Sequence, residues 1–336
     1  MKNFVRLVFV FSLVVAPLAS QVALGQSAVL DEQEKSKDDK AKSKFGGRVA
    51  LSNTLGLGTF VAGSDQRAYD LVAVSVNPFW RIEGDKRQAY LKFSVSQELV
   101  QNYESSTTTP NQIMLGDLEL GYVHNNMYKF PSLGVSLTPY VSGVVGTSLA
   151  SRYANRLAVI RVGGKFRYTY KKAMFFYETR AGKNFNRYTS PTVDADLGVA
   201  FARDQGNEDL GGVIAIGGRN VEFSWLNRGT VMFTLPSKLY LTFDYVFVKY
   251  FTYSAENDDG LTPENGDTGR GVRDLTQSTI DLSWQTPKKE LLMSFGASTG
   301  QSPLTSDNSS IRFPFFDFIS PNSNRTTFYL ALTGTY

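Results

Sequence analysis

The chain reads as an all-β protein, an antiparallel barrel that crosses a membrane with about fourteen strands, or twelve on an alternative count. Three observations predict it. From Phe45 to Tyr336 apolar and polar residues alternate in short runs, the period of a strand with one face of each kind. Residues 1–25 have the layout of a secretory signal, which marks the alternating part for export. The third is the closing stretch, Thr326 to Tyr336. There Phe328, Leu330, Leu332 and Tyr336 share one parity, with Gly334 between the last two, against Tyr329, Ala331, Thr333 and Thr335. A terminal strand of a soluble sheet would leave a pairing edge and need a second layer over its apolar face. Lipid around a closed wall answers both demands.

In the signal, Lys2 and Arg6 form the positive start, Leu7 to Leu18 the apolar run and Ala23-Leu24-Gly25 a small-x-small cleavage site, placing the mature start near Gln26. The run is too short for a membrane span and is expected to be removed. No cysteine is present, which excludes a lipid-modified lipoprotein start and any disulfide framework. Beyond the signal no apolar run reaches the length of a spanning helix, and the mean hydropathy is −0.19. Both are expected of a wall whose lipid-facing and lumen-facing residues alternate and cancel on average. The 24 Phe, 17 Tyr and 3 Trp suit interfacial girdles. The formal charge of +4 includes Lys2 and Arg6, and without them falls to +2, which gives no argument for a nucleic-acid partner.

Ser27 to Lys44 sets Asp31, Glu32, Glu34, Asp38 and Asp39 against Lys35, Lys37, Lys40, Lys42 and Lys44 with scarcely an apolar residue. Residues 26–44 are therefore expected to be a flexible charged tail, and 45–336 the barrel. Alternation starts with Val49, Leu51, Leu55 and Leu57 opposite Arg48, Ser52 and Thr54. It continues through Val72 to Trp80, Leu91 to Val95, Leu118 to Tyr122, Val135 to Val141, and Ala158 to Tyr168. A tight turn at Lys171-Lys172 leads into Phe175 to Ala181, and Ala195 to Phe201 reads as the next strand. Leu210 to Gly217 is a glycine-rich strand or a loop, and the count falls from fourteen to twelve if it is a loop and one neighbouring segment is not a strand either.

From Val221 to Leu235 one parity holds across Asn227-Arg228-Gly229, where a bulge is expected, since a turn would leave strands shorter than the about 9–11 residues a span needs. Pro236-Ser237-Lys238 turns the chain into Leu239 to Phe247. After a long acidic loop from Ser254 to Arg273 come Ile280 to Trp284, a turn at Thr286-Pro287-Lys288, Leu291 to Ala297 and the closing strand. An even count with short turns at one end and long loops at the other places both chain ends in the periplasm.

The final aromatic, with hydrophobic residues at alternate positions before it, resembles the C-terminal signature of bacterial outer-membrane β-barrel proteins, porin-like in architecture. Gly334 departs from it, a larger residue being usual there. The resemblance implies a place in the cell outer membrane, contact with outer-membrane lipid, and recognition of the last strand by the barrel-assembly machinery.

Charged groups cannot face hydrocarbon cheaply, so the polar parity must look inward. That face takes Arg48, Lys92, Arg161, Lys165, Arg167 and Arg180 as cations. Its carboxylates are Glu98, Asp117, Glu119, Glu178, Asp194, Asp196, Glu222, Asp244 and Asp281. Six cations against nine carboxylates predict a mildly cation-favouring pore. The expected pore-lining groups are Arg161, Lys165 and Arg167 on one strand, Glu178 and Arg180 on the next, Asp194 and Asp196 on the one after, and Asp117 with Glu119. They form either a transverse field at a constriction or an ion-pair network that stiffens the wall.

Phe313, Phe315, Phe316 and Phe318 in the loop from Ser302 to Arg325 need cover. Folding into the mouth as a constriction, packing on neighbouring loops, or a surface ligand would each supply it. Asp258, Asp259, Glu264 and Asp267 match no calcium-loop spacing and read as a solvated loop. The single histidine, His124, continues an apolar parity toward the periplasmic end, so neither His-based catalysis nor a His/Cys zinc site is expected, nor any cofactor. The expected function is passive diffusion of small polar solutes or ions. The alternative is a closed barrel acting as a surface-binding or structural protein through its external loops.

Overall fold

The computed structural model describes residues 43–56, 59–60, 70–84, 86–100, 111–194, 213–215, 219–254, 270–286, 291–304 and 326–336. The wall starts with β1 (Phe45–Gly56), β2 (Asp70–Glu83), β3 (Arg87–Glu98), and β4 (Ile113–Leu115) with β5 (Leu118–His124), two pieces of one wall strand interrupted at Gly116 and Asp117. After β6 (Tyr128–Phe130), a short partner of the next strand, come β7 (Val135–Val145), helix α1 (Leu149–Tyr153), β8 (Arg156–Tyr170) and β9 (Ala173–Asn186). Two short strands follow, β10 (Thr192–Asp194) and β11 (Val213–Ala215). The wall resumes with β12 (Val221–Leu235), β13 (Leu239–Ser254), β14 (Arg270–Gln285), β15 (Leu291–Gln301) and β16 (Thr326–Thr335).

Each wall strand pairs antiparallel with its neighbours, and β16 returns to β1, with Thr335 opposite Arg48 and Phe328 opposite Leu55. Gly47 and Tyr336 exchange two backbone hydrogen bonds of 3.1 Å at the seam. Closure removes both edges. The Tyr336 ring lies where a side chain on Gly47 would sit, so that glycine makes room for the final aromatic.

The wall has twelve strands, with two more outside it, so the alternative count is the correct one and fourteen is not. β9 pairs directly with β12, Tyr177 facing Gly229, which leaves no place between them for Ala195–Phe201 or Leu210–Gly217. The chain there forms the three-residue ladder of β10 and β11, too short to cross a bilayer, which takes about 9–11 residues. Alternation fixes which way a residue points, and it cannot say which ladder edge a strand joins. The bulge expected at Asn227-Arg228-Gly229 is also absent. β12 runs in unbroken register from Phe223 to Leu235, and its register shift lies between Val221 and Phe223. An extra residue at 227–229 would have reversed parity on one side, whereas Trp225 and Phe233 in fact keep one face.

One end of the barrel carries tight turns whose residues take left-handed backbone: Gly84 (φ 51°), Lys171 (φ 52°), and Ser237 and Lys238 (φ 61° and 60°) after Pro236. The other end carries the long connections. Outward residues stay exposed although apolar, Ile160 at 51%, Val162 at 59%, Phe295 at 59% and Leu330 at 52% among them. Such a continuous band would be untenable in water. At the short-turn end it is bordered by aromatic pairs, Phe45 on Trp80 at 5.8 Å, Tyr168 with Phe175 at 6.2 Å and Phe233 with Phe243 at 6.4 Å, which places an interface there. No helix among the described residues is long and apolar enough to cross a membrane.

Fully buried side chains on the inner face are mostly small and polar, Thr242, Ser283 and Ser294 among them, because the inside of the barrel is a lumen face. Two apolar patches interrupt it. Met174, Met232, Tyr240 and Leu292, with Phe176, cluster inside the short-turn end, and Leu226, Val246 and Val248, with Tyr250, lie farther along the same side.

Candidate transport lumen

A belt of charge runs around the inner wall. Lys92 stands opposite Glu119 across β3 and β5, and Glu119 reaches past β7 to receive Arg161 Nη1 at 3.1 Å. On the next pair of strands Lys165 faces Glu178, and Arg180 faces Gly163. Glu178 is register-matched to Arg228 on β12, and Arg228 donates from Nε to Asp244 Oδ1 at 2.6 Å. Asp244 also accepts from Thr230 Oγ1 at 2.5 Å. Asp281 accepts from Ser283 and, at 2.8 Å, from the Tyr329 hydroxyl. Between them these contacts hold all four belt carboxylates against the wall.

Three tyrosines share a device in this belt. Tyr90, Tyr140 and Tyr329 lie directly opposite Gly121, Gly163 and Gly296, and each ring fills the space a Cβ there would occupy. Lying flat over the neighbouring strand, each delivers its hydroxyl to a carboxylate: Tyr90 to Glu119 at 3.0 Å, Tyr140 to Glu178, and Tyr329 to Asp281. The glycine notch keeps a large side chain parallel to the wall, where it occupies little of the lumen. Lys165 Nζ then sits 5.4 Å from the Tyr140 ring centre, a cation over a π face.

Asp117 has a different task. It lies between β4 and β5, at the long-loop end, and accepts the Ser148 backbone N–H at 2.8 Å, the Ser151 hydroxyl at 2.7 Å and Arg156 Nη2 at 2.6 Å. Ser148 caps α1, so Asp117 ties the whole β7–β8 connection to the wall. Burial works against its charge, but Arg156 and the hydrogen bonds from Ser148 and Ser151 outweigh it and hold the carboxyl below its ordinary range. Beside it, Asn220 Nδ2 donates to the carbonyls of Ala154 and Tyr188 at 2.8 Å each, stitching two connections together.

Of the predicted lining groups, Arg161, Lys165, Glu178, Arg180 and Glu119 meet in the belt. Arg167 lies nearer the short turns, 5.7 Å from the Phe176 ring centre. Asp194 belongs to β10, outside the wall, and Asp196 and Phe313, Phe315, Phe316 and Phe318 fall outside the described residues, as do the signal, residues 26–42 and the Asp258–Asp267 cluster. Glu222 leaves the inward set. The shift at Val221 carries its carboxylate to Lys183 and Arg270, at 2.6 Å each, beside the outward Phe223 ring. Sequence reasoning missed Arg228, assigned to a bulge, and Arg273, assigned to a loop but standing opposite Tyr250 on the inward face. It also missed the glycine–tyrosine pairs, although tyrosine on an otherwise polar parity was a visible signal.

A closed wall with an exposed apolar outside and a charged inside decides the fold. The architecture is that of an outer-membrane β-barrel. No family model matches the chain, and no curated protein does. Solved structures of similar shape include the COG4313 outer membrane channel of Pseudomonas putida F1, 8% identical with a TM-score of 0.49 over 89% of this chain and 99% of that one. The KdgM porin in complex with disordered oligogalacturonate is 9% identical, TM-score 0.38, over 85% of this chain and 99% of that one. OmpT, an outer membrane protein of Vibrio cholerae, is 8% identical, TM-score 0.36, over 89% and 100%. At these identities the likeness concerns fold alone.

Proposed function

We propose that this barrel is an outer-membrane channel for the passive diffusion of small polar solutes or ions, exported by a signal cleaved near Gln26, and not an enzyme. The observation that carries the reading is the charged belt. Nine ionisable side chains, from Lys92 round to Asp281, line the inside of a twelve-stranded wall, and the three tyrosines among them are folded flat into glycine notches. A wall made for packing alone has less need of charge, because buried ion pairs contribute little net stability over apolar residues of the same volume. Single-channel recording of the purified protein in planar bilayers tests the reading. Stable conductance steps are the expected result, and their absence at every voltage and salt concentration would remove it.

A second reading, a closed barrel serving as a surface-binding or structural protein, is favoured by the apolar cluster of Met174, Met232, Tyr240 and Leu292 inside the short-turn end. Deleting residues 302–325 separates the two. A pore narrowed by that loop conducts more without it, whereas a binding scaffold loses its ligand with conductance unchanged.

A further inference from the structure

We infer that the lumen passes small anions in preference to cations, with carboxylates, phosphates and halides as the class of solute admitted; this rests on the channel reading above. Among the described residues of the belt, the arc from β3 to β9 sets Lys92, Arg161, Lys165 and Arg180 against Glu119 and Glu178. Four cations against two carboxylates leave a local charge of +2.

Orientation adds to number. Both carboxylates of the arc are drawn back to the wall, Glu119 accepting from Tyr90 and Arg161 at its two oxygens and Glu178 from Tyr140 at Oε1. On the opposite arc Asp244 is matched by Arg228, with both side chains only 8% exposed, and Asp281 is buried beneath Tyr329 and Ser283. Negative charge in this belt is therefore hydrogen-bonded to the wall while the cations outnumber it, and a low-dielectric wall projects that imbalance into the lumen. The sign is opposite to the one that inward parity alone predicts, because Asp117, Asp194 and Glu222 are withdrawn to the loop anchor, the outside ladder and the outer face, and Arg228 and Arg273 join the inward cations.

The test is the reversal potential of the open channel across a potassium chloride gradient. The expected value lies on the chloride side of zero. Replacing Lys92→Gln together with Arg180→Gln shifts it toward the potassium value, while Asp281→Asn leaves its sign unchanged. If the double variant does not fold, Lys165→Gln carries the same test with a smaller shift. A conducting pore that prefers potassium, or a chloride preference that survives loss of these cations, overturns the inference and leaves the channel standing. A protein that never conducts overturns the channel reading, and this inference with it.

Discussion

At the scale of single residues, the lumen depends on what three glycines leave out. A Cβ on Gly163 would lie 2.7 Å from both the Tyr140 ring and the Thr179 carbonyl oxygen, and the second of these is backbone and cannot swing away. Gly163→Ala is expected to destabilise the barrel by about 1–3 kcal/mol, the usual cost of overpacking. Gly143, with nothing within 4 Å of its Cβ position, is the control; Gly143→Ala should stay within about 0.5 kcal/mol of the parent. Urea unfolding in detergent micelles, read by tryptophan fluorescence, compares them. Equal midpoints for the two would mean that the notch is no constraint. The individual glycines were legible in the sequence, but their pairing with tyrosines was not, since it depends on the exact register between neighbouring wall strands.

Among elements, the β7–β8 connection has the clearest chemistry. Asp117 fixes α1 through Ser148 and Ser151 and is itself charged with the help of Arg156. Its folded carboxyl titrates below the ordinary carboxylate value of about 3.9. The anchor therefore contributes fully above that value, and its contribution is lost as pH falls through the depressed folded one. A fluorophore placed through Ala154→Cys is expected to show constant anisotropy down to about pH 4 and to loosen below it, while Asp117→Asn should be loose across the whole range. Loosening that begins near neutral pH would contradict the assignment. Sequence parity placed Asp117 on the inward face, which is its wall position. That the carboxylate would be consumed by a loop could not be read, because Ser148, Ser151 and Arg156 lie more than thirty residues away.

For the whole molecule the deciding relation is between wall and solvent. Outward Ile160, Val162, Phe295 and Leu330 are all more than half exposed, and only hydrocarbon covers such a surface at low cost. Diluted from urea into micelles, the chain without residues 1–25 is expected to gain β-sheet circular dichroism and to migrate differently heated and unheated in a gel. In detergent-free buffer it should aggregate. A compact soluble monomer there would contradict the barrel and each transport proposal with it.

The alternation of side chains by itself determined that this protein is a two-faced β-wall with charge on one side. That pattern is local, and the pleat enforces it residue by residue. Which strands join the wall, and which inward charges are tied to protein partners, was decided only in three dimensions. Strand pairing reaches across the chain, as in the direct contact of β9 with β12, and a carboxylate such as Asp117, Glu119 or Asp281 takes its role from partners that only closure brings within hydrogen-bonding distance.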